Sequence, residues 1–301
     1  MEIITITCQR DMYDMFLQAH TIDLFLEKPC VHWVVIEDGS YDYDTWLNFL
    51  SPYYTRHKLN LLWLERPNMN FDSEFIGYMP NSHIGVGGLG WRRQQILKLK
   101  VTADLVESER ALVLDSKNFF VRPVDLDLWP VKHGNGMYMP LEHVMERPGL
   151  KTIKDWVIHL RDDHGLNIPD KFARILETPF VWQTDIVRDM CAKFSMEKLF
   201  LNPDVIPNSE FHMYFFFVDP ADLDEEQDKI CRVLMWNPTD TYEKHIIDSI
   251  DHCMSIDSPT HGLHRQTRFN MSLESIDIYK KWLTDKGLDA KLVDDYMTWC
   301  R

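Results

Sequence analysis

The stretch "LVLDSKNFFVRP" (residues 112–123) decides how this chain is read. Leu112, Val113 and Leu114 form an apolar run that stops on Asp115. Ser116 and Lys117 supply a polar turn, and Asn118 leads into a second apolar run. A short apolar run bounded by turn residues reads as a strand buried on both faces, here over 110–116. The carboxyl end of such a strand is where an open α/β sheet binds its ligands. Lys117 stands where an Asp-x-Asp metal site would carry its second carboxylate. The stretch is therefore either a phosphate-handling site with a cation in place of an acid, or a buried strand ending in a turn.

Working outward, the first half alternates strand and helix. "EIITIT" (2–7), "VHWVVIED" (31–38) and "LNLLWLE" (59–65) read as strands. Residues 11–26 have helical apolar spacing at Met12, Met15, Phe16, Ala19, Ile22 and Leu26, and 43–54 read as a short helix. Strand–helix–strand units of this size predict a mixed, mainly parallel central sheet flanked by helices. Residues 66–90 carry Pro67, Pro80 and glycines at 77, 85, 87, 88 and 90 with little periodicity, and predict a long functional loop. A helix follows over 91–106. The second half is more helical: helices are expected over 149–165, 168–177, 272–284 and 288–300, with a further strand at 136–142. Residues 180–194 read as a strand leading into a helix. In "NSEFHMYFFFVDP" (208–220) pattern alone leaves strand and helix both open. With no repeat or linker, one domain over 1–301 is expected.

Composition narrows the functional classes. The chain has 301 residues and a formal net charge of −15. Duplex nucleic acid is a poor partner for such a surface, because backbone binding needs a basic face to displace counterions. A local basic pocket for a small phosphorylated ligand remains compatible with it. The six cysteines show neither C-x-x-C nor zinc-ligand spacing, which predicts reduced thiols and a cytoplasmic setting. No basic-plus-apolar leader and no membrane span are expected.

Three strand ends carry polar groups: Thr7, Cys8, Gln9 and Arg10; Glu37, Asp38 and Gly39; and Asp115 to Asn118. Together they favour a binding cleft over three separate solvated turns. Behind the Gly-rich loop, "GWRRQQILKLK" (90–100) crowds Arg92, Arg93, Gln94 and Gln95 into the start of a helix. Cations are unfavourable at that end of the helix dipole, so the arginines either face solvent or hold an anion with the terminal amides. Lys98, further along, points inward or snorkels.

These blocks carry a resemblance. "GWRRQQILKLK", then "ALVLDSKNFFVRP", "TPFVWQTDIV" and "NSEFHMYFFF" resemble, in order, the motifs of a bacterial and phage glycosyltransferase-like family with a GT-A fold. The resemblance covers about residues 90 to 217 and is weak beyond 220. It implies a nucleotide-sugar-binding half (1–130), an acceptor-binding half (131–301) and transfer of a sugar from a nucleotide-sugar, UDP-sugar by default, to a glycan or other acceptor. It implies that Thr7, Arg10 and Asp38 lie near the base and ribose, and that Arg92, Gln95, Lys98, Asp115 and Asn118 serve the donor. Asp115 matches the first acid of the family's metal motif and Lys117 departs from the second. Two routes stay open. Lys117, helped by Arg92, Arg93 or Lys98, meets the charge of the leaving diphosphate, so that no metal is obligatory. Alternatively Asp115 holds Mg²⁺ or Mn²⁺ with Asn118 or a late histidine of "HGLHR" (261–265), His264 above all. A base is also needed for an inverting reaction. Glu210 is the first candidate, set against a helix-capping role, and Asp185 is the second. Trp91, Trp182, Tyr214 and Tyr78 are aromatic candidates for acceptor contact. The competing class is a non-catalytic nucleotide-sugar or sugar-phosphate binding protein built on the same fold.

Overall fold

A computed structural model describes residues 1–37, 41–64, 89–134, 136–140, 142, 146, 151–166, 171–176, 178–200, 209–219, 230–231, 233–234 and 242–299. Asp38, Tyr78 and the 66–88 part of the expected loop lie outside the described residues. The chain starts with β1 (Glu2–Thr7), all six residues of which are buried. A β-branched run without a polar face suits a central strand covered on both sides. In chain order there follow α1 (Met12–Phe25), β2 (Val31–Ile36), α2 (Tyr43–Leu50), β3 (Lys58–Trp63), α3 (Leu89–Leu105), β4 (Arg110–Asp115), β5 (Asn118–Phe120) and β6 (Gly136–Pro140). Then come α4 (Lys151–Asp162), β7 (Lys171–Leu176), β8 (Phe180–Gln183), α5 (Thr184–Lys193), α6 (Met196–Phe200) and α7 (Glu210–Phe215). The last described elements are β9 (Val233–Leu234), α8 (Tyr242–Ser255), β10 (Thr260–Leu263), α9 (Arg265–Asn270), α10 (Leu273–Asp285) and α11 (Ala290–Thr298).

The main sheet has the order β3-β2-β1-β4-β8. The first four strands are parallel, and β8 runs antiparallel on β4. The mainly parallel sheet flanked by helices is thus the architecture that the alternating segments predict. Side chains of β4 point alternately to its two faces, as strand geometry requires. Leu112 and Leu114 enter a core shared with Phe16 and Ile22 of α1, Tyr279 of α10 and Val293 of α11. Val113 enters a second core with Ile96 and Leu99 of α3, Trp182, Val187 and Phe211. A smaller sheet, β5-β10-β9, sits beyond the end of β4, and β6 pairs with β7.

One reading changes, and two stretches without one are decided. Residues 171–176, expected to be helical, form β7, because antiparallel pairing with β6 from Gly136↔Leu176 to Pro140↔Lys171 outweighs local helical spacing. Helix α8 had no expectation of its own, and "CMSIDS" (253–258) is its last turn and exit. The open stretch after Ser209 is the helix α7, capped by Ser209 Oγ, which accepts from Phe211 N at 3.0 Å. The closing helices start where their capping residues lie. Ser272 Oγ accepts from Ser275 N at 3.0 Å and Asp289 Oδ1 from Leu292 N at 2.8 Å.

Candidate active site

The chain builds β1, β2 and β3 in one direction and then returns to the other side of β1 with β4. That reversal opens a crevice at the carboxyl ends of β1 and β4, where ligands bind in open α/β sheets. Register aligns the edge: Ile6 lies beside Asp115 and Thr7 beside Ile36. Residues that follow β1 and those that follow β4 therefore face each other.

The Asp115–Asn118 turn is held from below by a buried polar chain. Gln18 Nε2 donates to the Asp115 carbonyl at 2.8 Å and to the Asn118 carbonyl at 2.7 Å. Thr5 Oγ1 donates to Gln18 Oε1 at 2.8 Å, so His32 Nε2 (3.0 Å) must donate to Thr5 Oγ1. His32 Nδ1 is then the bare nitrogen that accepts from Tyr54 OH at 2.6 Å. From above, Asn118 Oδ1 accepts from Asp115 N at 2.8 Å, and its Nδ2 donates to the Thr178 carbonyl at 3.3 Å. Asn118 is thus used to shape the turn. Gln18→Leu strands two buried carbonyls, at about 1–3 kcal/mol for each unsatisfied group. The expected result is a lower urea midpoint together with faster amide exchange at 115–118; unchanged exchange there would separate Gln18 from the turn.

Two cations flank Asp115. Lys98, on α3, reaches its Oδ1 at 3.6 Å and the Oε1 of Glu210 at 3.2 Å. Lys117 reaches Asp11 Oδ2 at 3.5 Å across the crevice; Ser116 Oγ also donates to that oxygen at 3.0 Å, and Arg10 Nε lies 3.7 Å from Asp11 Oδ1. Burial opposes charge on Lys98, yet Glu210 and Asp115 outweigh it and hold the ammonium pKa above its usual value. Burial likewise opposes charge on Lys117, and Asp11, Asp115 and Asp14 outweigh it. Desolvation would push the Asp115 carboxyl up, but Lys98 and Lys117 hold it below the usual carboxylate range. Its side chain is 41% exposed, whereas that of Glu210 has no exposed surface. Burial pushes the Glu210 carboxyl up despite Lys98. Meeting an acceptor hydroxyl from Glu210 would require Lys98 to shift.

The other expected residues divide. Arg10 stands exposed at the crevice, and Thr7 is buried, with an Oγ1 that has no hydrogen-bond partner among the described residues. Gln94 Nε2 donates to Glu37 Oε1 at 2.8 Å, tying α3 to the end of β2. Gln95 is buried. Arg92 is buried, and its Nη1 donates to the Phe200 carbonyl at 3.2 Å, at the end of α6. Asp185 is not brought to the crevice. Antiparallel pairing sets Gln183 beside Arg110 at the start of β4, so Asp185 follows at the opposite end of the sheet, about 17 Å of strand away. Trp182 and Tyr214 are core residues; Tyr214 OH accepts from Gln183 N at 2.8 Å.

The late histidines separate as well. His261 is fully buried, its ring bonded to Ser249 Oγ at 3.0 Å and Tyr279 OH at 2.9 Å. His264 comes past Gly262, which pairs with Asn118, and so lies alongside the Ser116–Lys117 turn. Burial lowers its pKa first and Lys117 next, against Asp11 and Asp115, which places it in the field of the cluster. Asp115 and His264 are thus one oxygen and one nitrogen donor, both in the field of the Lys117 ammonium. No group of three such donors able to hold a metal occurs among the described residues. A divalent ion there would need Lys117 to withdraw, so this donor set fits a metal poorly.

Sequence reading missed Asp11 and Gln18, and held Ser116 only as part of the turn after β4. Asp11 had a signal, since it follows Arg10 directly after a strand end. Gln18 had a fainter one: a polar side chain inside a helix that is apolar nearly all round.

The strand order, the crevice and the acid at the end of β4 define a class. The structure is similar to the galactosyltransferase LgtC solved in complex with donor and acceptor sugar analogues. The TM-score is 0.52 at 10% identity, over 95% of this chain and 96% of that one. An active-site mutant of LgtC gives 0.50 at 10% identity, over 95% of each chain. The bifunctional glycosyltransferase WbbM in its apo form gives 0.49 at 9% identity, and of its length this chain spans about half, 52%. For the two LgtC structures, at 10% identity, the likeness is one of fold, and the fold is GT-A. The chain itself belongs to DUF6492, a family of unknown function, whose model matches residues 72–249. No curated protein matches the chain. Among the described residues, no helix is long and apolar enough to cross a membrane.

Proposed function

We propose that this protein is a glycosyltransferase that moves a sugar from a nucleotide-sugar, UDP-sugar by default, to a glycan or other acceptor without an obligatory metal. The observation that carries the reading is Lys117. Its ammonium is held charged at the crevice between β1 and β4, 3.5 Å from Asp11, at the position where the fold's metal motif would have an acid. In the reaction the bond from the anomeric carbon to the donor phosphate breaks and the pair of electrons leaves with the nucleoside diphosphate. A bond from the acceptor oxygen to that carbon forms, and the acceptor proton passes to a base. Negative charge grows on the leaving phosphate, and a preorganised cation stabilises it where it develops. Lys117 supplies that charge, with Arg10 beside it. Glu210 fixes Lys98, and Lys98 in turn orients Asp115. The first half, 1–130, is the donor side and 131–301 the acceptor side.

Binding and hydrolysis of UDP-, GDP-, CMP- and dTDP-sugars, each in chelator and with Mn²⁺, test the reading. Turnover that survives chelator and falls about 10²–10³-fold in Lys117→Ala is the expected result. Turnover lost in chelator and restored by Mn²⁺ would overturn the metal-independent part. One observation favours the second reading, a binding protein without transfer: the complete burial of Glu210, the first candidate base. Donor binding without transfer or hydrolysis would decide for it.

A further inference from the structure

Away from the crevice, at the end of α4, two imidazoles face each other. His159 Nε2 and His164 Nε2 are 3.3 Å apart. Two nitrogen ligands at about 2.0–2.1 Å from one tetrahedral Zn²⁺ are separated by about 3.3–3.4 Å. The rings are already placed for this. His159 is buried and stacks on Trp156, with centroids 5.7 Å apart, and His164 meets the edge of Phe194 at 5.8 Å. His159 Nδ1 donates to Asp163 Oδ2 at 2.6 Å, which leaves its Nε2 as the bare, basic nitrogen. A carboxylate on the far nitrogen is the usual support of a metal-binding histidine. The local chain makes the meeting possible. Helical bonding continues through Asp163 N to the His159 carbonyl at 3.0 Å, and Gly165, with φ +64°, closes the helix just after His164 as its N donates to the Arg161 carbonyl at 2.9 Å.

We propose that His159 and His164 form a binding site for a borderline divalent transition metal such as Zn²⁺ or Ni²⁺, with water completing the coordination. Without metal, His164 Nε2–H donates to His159 Nε2. The ion takes the place of that one proton, which moves to His164 Nδ1, so both rings bind neutral and none is lost to solvent. Imidazole pairs select such ions over Mg²⁺ or Ca²⁺.

Calorimetric titration of the full chain with Zn²⁺, and separately Ni²⁺, tests this. One saturable equivalent is expected, lost in His164→Ala. Asp163→Asn, on an exposed side chain, should keep the fold and weaken binding about 10–100-fold. Two results overturn the site: no saturable equivalent in the wild type, or the same isotherm in His164→Ala and Asp163→Asn as in the wild type.

Discussion

Lys98→Met is expected to destabilise the fold by about 3–5 kcal/mol, the cost of removing one partner from a buried ion pair. Among the described residues Lys98 is the ionic partner of Glu210, 3.2 Å away, and Glu210 has no exposed surface. Without the ammonium, the buried carboxylate must either stay charged or take up a proton. Its pKa, already raised by burial, then rises further. A folded state that binds more protons than the unfolded one loses stability as pH rises. The variant should therefore be weaker at pH 8 than at pH 5 by more than the wild type is. Adding Glu210→Gln removes the stranded charge and should recover a large part of the loss, since contacting pairs are non-additive. Urea unfolding of the two single variants and the double reads this directly. A double-variant cost equal to the sum of the singles would show that the pair does not act as a unit.

Acid should unfold this protein through two histidines that are nowhere near titrating at neutral pH. Burial pushes His32 down to about 3, with His57 adding to it, and His261 down to about 3. Both are free to protonate near 6.5 once unfolded, so the unfolded state binds more protons below that pH. Stability that is complete above about 6.5 is lost as pH falls toward 3, at about 1.4 kcal/mol per unit for each ring. Between pH 6.5 and 4.5 the two contribute a loss of about 5 kcal/mol. Asp14 works in the opposite sense: burial raises it to about 6 against the pull of Arg268, 2.8 Å away. As pH falls from 6 toward its unfolded value it returns about 2 kcal/mol of that loss. Unfolding midpoints measured from pH 7 to 4.5 should show the net decline. His32→Gln and His261→Gln should each flatten it by close to one proton, while Asp14→Asn should steepen it. An unchanged slope in both histidine variants would remove them as the cause.

The same residues show what was legible beforehand. β4 was readable because an unbroken apolar run of strand length has few other uses, and β1 because its run is β-branched. The end of β4 was readable because an acid after such a run falls at a sheet edge. β7 was not, since "KFARIL" satisfies helical and strand patterns equally and only β6 decides between them. Asp185 and Glu210 looked alike as acids near apolar segments. Pairing of β8 sends the first to the far end of the sheet, and α7 places the second against Lys98.

By itself, then, the sequence determined the alternation of strands and helices, the crevice edge and the cation at Lys117, all of which depend on neighbours within a few residues. Only the tertiary structure decided that Lys117 faces Asp11, that Gln18 carries the turn, and that His261 is core while His264 borders the site. Those contacts join segments far apart in the chain: Ser116 and Asp11 are separated by 105 residues, Gln18 and Asn118 by 100, and β10, which carries His261, pairs with β5 at Phe119. Their partners are chosen by sheet register and packing, which no local pattern encodes.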